Sequence, residues 1–381
     1  MYGPGIALCA RPELVVTEPK YRHRTTRDVV SARPIAVAAD TPVICSAGGT
    51  HPQLLARLRD SGLPVGTDLR VFRSEADFAD RVAEAISDGL LMSMEYPQPI
   101  TLCPDERSLK SARLVGHLNN KASITTLVDP RFQANRSIVT RANLAAATPA
   151  DESWVLKAAT NDAHGGSLDV YLHNAGDHIE LPAFTDVLDE FVVEEYLEIM
   201  TNWGLQFHVG ADAQARLLAV TEQRVDVVGV YTGGRFGAVT DPPAELLAEC
   251  LATAQRAADL GYRGLCSLDC AWTRNGRQVL LDLNFRITSG SIPLLALQSV
   301  RADILDQPAE SVKLTVAGPL TDLLDAVHPA LAAGGVLIVA GHDTARTDNP
   351  VRQSTLQLLV FGADPDEVTV RRQALETATS R

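Results

Sequence analysis

The sequence lacks a hydrophobic run that could span a bilayer, a disulfide pattern and an excess of positive charge. Its longest apolar stretch, residues 330–341, is too short and too rich in glycine for a transmembrane helix. No signal-peptide pattern is visible, and the 6 cysteines have neither the density nor the spacing of a disulfide framework. We therefore expect a cytoplasmic protein with no membrane partner and with reduced thiols.

The charge balance excludes a further class of partner. The formal net charge is -13, and so acidic a protein does not attract a phosphate backbone or an anionic lipid surface. We expect no nucleic-acid partner. The 381 residues, 46% of them hydrophobic, can bury the cores of two or three globular domains, and the chain has no internal repeat or low-complexity tract.

A hairpin near residue 275 carries the first chemical signal. Residues 265–271 and 279–286 are typical of strands, and Asn275-Gly276 between them favours a tight two-residue turn. That turn predicts five facing pairs: Asp269 with Asp282, Ser267 with Asn284, Cys270 with Leu281, Trp272 with Val279, and Arg274 with Arg277.

Alternation along each strand gives this hairpin a polar face and an apolar face. The polar face carries Asp269, Asp282, Asn284 and Arg286, and the apolar face carries Leu268, Cys270, Trp272, Val279, Leu281 and Leu283. Like charges that face each other are destabilising, whereas a hard cation between them takes carboxylate and amide oxygens as ligands. The pattern therefore predicts a Mg²⁺ site at Asp269, Asp282 and Asn284, although solvent-exposed strand carboxylates are the alternative.

The patterns along the chain divide it into four parts. Residues 1–40 are basic and turn-rich and are interpreted as an N-terminal arm, and residues 41–104 alternate strands and helices, which is typical of a parallel-sheet α/β domain. Residues 105–300 form a larger unit with a strand-rich part that includes the hairpin. Residues 301–381 mix helix and strand and are expected to form a C-terminal α/β segment.

Three further motifs are weak when taken singly. Lys157 ends an apolar strand run and could be a surface lysine, and the turn His164-Gly165-Gly166-Ser167 could be a simple hairpin loop. Glycine-rich loops also direct backbone N–H groups at phosphate oxygens. Residues 191–198 are typical of a buried strand, but such a strand can also offer backbone groups to an adenine ring.

The order of the motifs strengthens them. The chain shows Asn-Asn-Lys121, then Val-Leu-Lys157 with its glycine loop, then Val-Val-Glu-Glu-Tyr-Leu197, then Asp269, and finally Asp282-Leu-Asn-Phe-Arg286. In this order it resembles the ATP-grasp superfamily over about residues 105–295, and the region before it resembles the domain that precedes ATP-grasp folds. The resemblance implies an α/β and α+β ATP-grasp fold with a preceding parallel-sheet α/β domain and a mobile lid at about residues 134–190.

The resemblance also implies roles for individual residues. Lys121 and Lys157 would contact ATP phosphates, and His164, Gly165, Gly166 and Ser167 would close over them. The Glu195 carbonyl and the Leu197 N–H would bind the adenine edge, with Glu194 nearby. Asp269, Asp282 and Asn284 would hold Mg²⁺, which Mn²⁺ could replace, and Arg286 with Lys157 would stabilise the phosphoryl group in transfer.

Residues 282–291 and Thr221-Glu-Gln223 are similar, more loosely, to peptide ligases of the pheganomycin-biosynthesis type. The chain departs from that pattern at two places. Aspartate stands at the second metal position, where those enzymes more often have glutamate, and Ile287-Thr288-Ser289-Gly290 replaces a basic double-glycine segment. These two departures leave the identity of the substrate open.

These resemblances imply an ATP-dependent ligase of specialised metabolism. It would activate a small-molecule carboxylate as an acyl phosphate, pass the acyl group to an amine to form an amide or peptide bond, and release ADP and phosphate. Its assembly could be a homodimer. Two alternatives remain at this point: a ligase with a non-amine acceptor such as a thiol or hydroxyl, and a non-catalytic ATP-binding regulatory protein.

Overall fold

The computed structural model describes residues 2–13, 24–162, 169–225, 231–300 and 307–379. The strands of these segments are β1 (Ile6–Cys9), β2 (Val43–Ser46), β3 (Leu69–Phe72), β4 (Leu91–Met94), β5 (Arg136–Thr140), β6 (Trp154–Ala158), β7 (Val170–His173), β8 (Glu190–Glu195), β9 (Ile199–Val209), β10 (Ala215–Val225), β11 (Tyr231–Phe236), β12 (Gly264–Thr273), β13 (Gln278–Asn284), β14 (Ala309–Val316), β15 (Val336–Asp343) and β16 (Ser354–Phe361). The α-helices are α1 (Arg24–Ala32), α2 (Pro52–Asp60), α3 (Glu75–Ser87), α4 (Ala112–Asn119), α5 (Ile124–Leu127), α6 (Leu144–Ala147), α7 (Ala244–Asp259), α8 (Ser291–Val300), α9 (Leu320–Ala332) and α10 (Pro365–Thr379).

The N-terminal domain contains the predicted parallel sheet, in the order β3-β2-β1-β4. Its helix α3 begins after Ser74, whose hydroxyl accepts a hydrogen bond from the Asp77 N–H at 3.1 Å and so satisfies an end donor of the helix. The N-terminal arm that we expected at residues 1–40 is wrong for the described part of that range. Strand β1 lies inside the sheet and pairs in parallel with both β2 and β4. Its apolar residues are buried there, and this burial favours the central position.

A second sheet of eight strands runs through the rest of the chain in the order β13-β12-β9-β10-β11-β14-β16-β15, and all its pairings are antiparallel. The expected boundary near residue 300 cuts through this sheet, because β14, β15 and β16 continue it. Every residue of β15 is buried. A continuous apolar strand of this kind is covered on both faces, and residues of β15 and β16 share one hydrophobic core with residues of β1, β2 and α2.

The expected lid contains a third sheet, in the order β5-β8-β6-β7. It has a small core of its own around Trp154, Leu156 and Phe191. The sheet contacts β13 through Lys157, whose Nζ donates to the Leu281 carbonyl, and it contacts the turn end of the β12–β13 hairpin through Glu195 and Arg277. None of the helices in the described segments combines the length and the hydrophobicity that crossing a bilayer requires.

Candidate active site

The hairpin of β12 and β13 brings the two predicted carboxylates face to face. Asp269 pairs directly with Asp282, and Ser267 pairs with Asn284. Both predicted pairs are thus present, and Asp269, Asp282, Asn284 and Arg286 line one cavity of about 140 Å³. Strand alternation alone accounts for this shared face.

The turn of this hairpin differs from the predicted one. Thr273 N–H donates to the Arg277 carbonyl at 3.0 Å, so the loop holds three residues instead of two. Gly276 has a φ of 81°, the left-handed conformation that closes such a loop.

Three of the predicted pairs are consequently wrong, namely Cys270 with Leu281, Trp272 with Val279, and Arg274 with Arg277. Cys270 pairs with Leu280, because Leu281 is an extra residue in β13 that forms a β-bulge. The bulge shifts the register back by one residue before the strand reaches Asp282. The apolar face was expected to include Trp272, but this side chain near the turn is 45% exposed, so the buried part of the face ends before it.

The facing carboxylates perturb each other. Burial of Asp269 and then the charge of Asp282 raise the pKa of Asp269 to about 7, against the opposing effects of Lys121, Arg286 and a hydrogen bond from Asn284. That hydrogen bond joins Asn284 Nδ2 to Asp269 Oδ2 at 3.1 Å. The pair therefore lies in a setting where an added cation would be strongly stabilising.

Lys121 lies at the entrance to this pair. Its Nζ is 2.5 Å from Asp282 Oδ2 and 3.4 Å from Asp169 Oδ2. Burial disfavours the charged form of Lys121, but Asp169 and Asp282 outweigh burial and raise its pKa to about 12. The lysine that the resemblance assigns to ATP phosphates is therefore a charged ammonium at the candidate metal site.

Lys157 connects the lid sheet to the hairpin. Its Nζ donates to the Leu281 carbonyl at 2.8 Å and lies 2.7 Å from Glu194 Oε2. The bulge at Leu281 is thus also one of the points at which the lid touches the core. Glu194 is buried and contacts a second cation, Arg136, at 3.1 Å. Sequence reasoning missed Arg136, because its only signal is a single arginine in a short strand.

The two residues expected at the adenine edge lie at the end of β8. The Glu195 carboxylate contacts Arg277 Nη1 at 2.6 Å and accepts a hydrogen bond from the Asn135 N–H at 2.6 Å. Leu197 lies two residues beyond Glu195, the last residue of β8, in the segment that leads to β9. Its backbone is therefore outside the strand ladder. The predicted phosphate loop, His164, Gly165, Gly166 and Ser167, lies outside the described residues.

Arg286 is held by residues of the N-terminal domain. It is buried, and its guanidinium lies 5.5 Å from the centre of the Tyr96 ring. The next N–H, of Ile287, donates to Glu95 Oε2 at 2.8 Å. Glu95 is fully buried and forms an ion pair with Lys110 at 2.8 Å. These contacts fix the position of Arg286 at the end of the cavity.

The chemistry of the donor set fits a hard cation. Within the described segments no group of three or more His, Cys, Asp and Glu side chains is placed to hold a metal ion, so Asp269 and Asp282 need the amide oxygen of Asn284 to complete a set. Two carboxylates and an amide are oxygen ligands of the kind that Mg²⁺ takes when substrate phosphates and water supply the others. A catalytic site that shares its metal with a nucleotide has this composition.

Two regions of the chain match known families. Residues 1–116 match the family described as the L-aspartate–L-methionine ligase N-terminal domain. Residues 134–284 match the family described as L-aspartate–L-methionine ligase, ATP grasp. No curated protein is significantly similar to the chain in sequence.

Solved structures share the fold along the whole chain. An ADP complex of N5-carboxyaminoimidazole ribonucleotide synthetase has a TM-score of 0.65 at 11% identity, covering 100% of this chain and 99% of the other. The Staphylococcus aureus enzyme with ADP has a TM-score of 0.63 at 11% identity, with 98% and 97% covered. The Aspergillus clavatus enzyme with ATP has a TM-score of 0.60 at 13% identity, with 100% and 99% covered. At these identities the likeness shows a shared fold alone, and the family match over residues 134–284 identifies that fold as ATP-grasp.

Proposed function

Because the chain belongs to the ATP-grasp superfamily of ADP-forming carboxylate–amine ligases, we propose that it joins two amino acids through an acyl phosphate. The pair to test first is L-aspartate with L-methionine, which the names of both matching families suggest. The non-amine acceptors that the sequence left open have no specific support in the described cavity.

The facing pair of Asp269 and Asp282, with Lys121 at 2.5 Å from Asp282, is the observation that carries this proposal. Asp269, Asp282 and Asn284 would hold Mg²⁺, which would neutralise charge on the β- and γ-phosphates of bound ATP. Two carboxylates that face each other are costly, and a purely structural hairpin would not need such a pair.

Cations around this pair would orient the phosphates. Lys121 reaches Asp282 and Lys157 reaches the Leu281 carbonyl, so both ammonium groups lie beside the same stretch of β13. Arg286, fixed by its contacts with the N-terminal domain, would face the phosphoryl group from the other end. Positioned cations of this kind stabilise the charge that develops on the transferring oxygens.

The lid would exclude water from the acyl phosphate. Lys157 and Glu194 belong to the lid sheet, and Lys157 donates a hydrogen bond to the core hairpin. Closure of the lid would therefore also bring Lys157, the proposed phosphate-binding residue, into position. Exclusion of water matters, because water competes with the amine for an acyl phosphate. Glu195 and Leu197 would bind the adenine at the hinge of the lid.

Release of ADP tests the proposed reaction. ADP should appear only when ATP, Mg²⁺ and both amino acids are present, and mass spectrometry should show the dipeptide. ADP release without a coupled product would indicate an ATPase instead.

We also propose that the protein is cytoplasmic and forms a homodimer. Cell fractionation tests the location, and light scattering tests the oligomeric state.

A further inference from the structure

A second cavity, of about 200 Å³, adjoins the catalytic one. Its walls come from α1, from Arg33 at the end of that helix, and from β11, β14, β15 and β16 of the large sheet. Its volume is several times the roughly 30 Å³ that one water molecule occupies in the liquid. The cavity therefore has room for a chemical group of a ligand.

The charges in this cavity are of one sign. Arg33 and Lys313 line it, and none of its lining residues is aspartate or glutamate, although acidic residues outnumber basic ones 47 to 34 in the chain. Neither cation has a carboxylate within ion-pair distance in the described segments of the chain.

The two cations are also close enough to disfavour each other. Lys313 lines the cavity and is exposed, yet desolvation and then the charge of Arg33 lower its pKa. Arg33 Nη1 donates to Ser289 Oγ at 3.2 Å, which orients the guanidinium but leaves its charge uncompensated. Adjacent cations in a partly desolvated cavity are stabilised when an anion binds between them.

The second cavity is continuous with the first. Ser289 and Tyr231 line both cavities, and Ser289 is three residues beyond Arg286. Ser289 also lies in the segment that departs from the basic double-glycine pattern of pheganomycin-type ligases. A ligand can therefore have one end at the phosphoryl-transfer centre and the other between the cations.

We propose that Arg33 and Lys313 bind a substrate carboxylate that does not react, and that the enzyme therefore requires an anionic group on one of its two substrates. This inference rests on the proposed ligase function. The carboxylate has two sources: the α-carboxylate of the acceptor amino acid, or the second carboxylate of a dicarboxylic donor.

Equilibrium binding tests the inference without turnover. Calorimetry with the full chain, Mg²⁺ and a non-hydrolysable ATP analogue compares L-methionine with L-methioninamide, and L-aspartate with L-asparagine and L-isoasparagine. The variants are Arg33→Gln and Lys313→Gln. Arg59→Gln is the matched control, because Arg59 is an exposed arginine of α2 outside the cavity.

For one of the two amino acids we expect replacement of a carboxylate by an amide to weaken binding about tenfold or more, as loss of a charge-assisted hydrogen bond does. Arg33→Gln and Lys313→Gln should weaken binding of that acid similarly and leave binding of its amide unchanged. The acid affected identifies the acceptor or the donor as the source of the carboxylate.

Three results would overturn the inference: equal binding of acid and amide, equal losses in the control variant, or equal losses for acid and amide in the cavity variants. Release of ADP from the same mixtures is measured separately. Absence of ADP with intact carboxylate binding would contradict the ligase proposal but not the carboxylate site.

Discussion

The ammonium of Lys121 lies 2.5 Å from the carboxylate of Asp282, which faces Asp269 across the β12–β13 hairpin. This lysine has two functions that exchange. Without nucleotide it offsets the charge of Asp282, and under the proposed function it would contact the phosphates once a metal ion and ATP are bound.

Lys121→Met should therefore lower both stability and affinity for ATP. Removing one partner of a buried ion pair leaves an uncompensated charge, which costs about 3 kcal/mol or more. Urea unfolding measures this loss, and Mg²⁺ should restore part of it in the variant. Arg131→Met is the control, since Arg131 forms an exposed pair with Asp129, and pairs of that kind contribute little to stability. Equal losses in both variants would contradict the role of Lys121.

Stability should depend on pH through Asp269. Its pKa is raised to about 7 in the folded protein, so between about pH 4 and pH 7 the folded state holds a proton that the unfolded state has lost. The contribution of Asp269 is thus fully present below about pH 4 and is lost as the pH rises towards 7.

The difference in unfolding free energy between wild type and Asp269→Asn isolates this contribution, because other groups titrate in both proteins. We expect the difference to change across this range without metal and to flatten when Mg²⁺ is added. A difference that is constant with pH would show that Asp269 is ionised throughout.

Glu95 should act as a positioning residue for Arg286. It accepts a hydrogen bond from Ile287 and pairs with Lys110, and all these contacts are buried. We expect Glu95→Gln to destabilise the protein by about 3 kcal/mol and to lower kcat more than it raises KM for ATP.

The control for Glu95 is Ser93→Ala, which removes one hydrogen bond to the same carboxylate and should cost about 1 kcal/mol. The split between kcat and KM separates positioning from stability. If Glu95→Gln leaves kcat unchanged at a temperature where it is folded, Arg286 does not depend on Glu95.

Nucleotide should protect the lid sheet, residues 136–195. The lid touches the core hairpin through Lys157, and a lid of this kind opens for exchange and closes over substrate. Hydrogen exchange with and without an ATP analogue should show slowing in β6 and β8, whereas α3 in the N-terminal domain should exchange at the same rate. Lys157→Gln should reduce the protection. Identical exchange of the lid in both states would contradict lid closure.

Local patterns predicted part of the site. The shared face of Asp269, Asp282 and Asn284 follows from strand alternation within one hairpin, and no distant residue is needed to infer it. The turn was mispredicted because Thr273 adds side-chain bonds that the Asn-Gly preference does not include: its hydroxyl accepts from the Arg277 N–H at 2.9 Å. The bulge at Leu281 then compensates for the displaced turn.

The parts that the sequence did not reveal depend on distant contacts. Strand β1 has four residues and acquires its place only by pairing with β2 and β4. The contacts of Arg136 with Glu194 and of Arg33 with Ser289 join residues 58 and 256 positions apart. Periodicity within a short window contains no information on such pairs.

The central claim is that Asp269, Asp282 and Asn284 hold the metal ion that serves ATP. Calorimetric titration of Mg²⁺ in the presence of an ATP analogue, with ADP release measured in parallel, tests it most directly in Asp282→Asn. Asp60→Asn, an exposed aspartate of α2, is the control. We expect Asp282→Asn to stay folded, to lose metal-dependent nucleotide binding and to form no ADP, while the control matches wild type. Normal ADP formation by a folded Asp282→Asn protein would contradict the account.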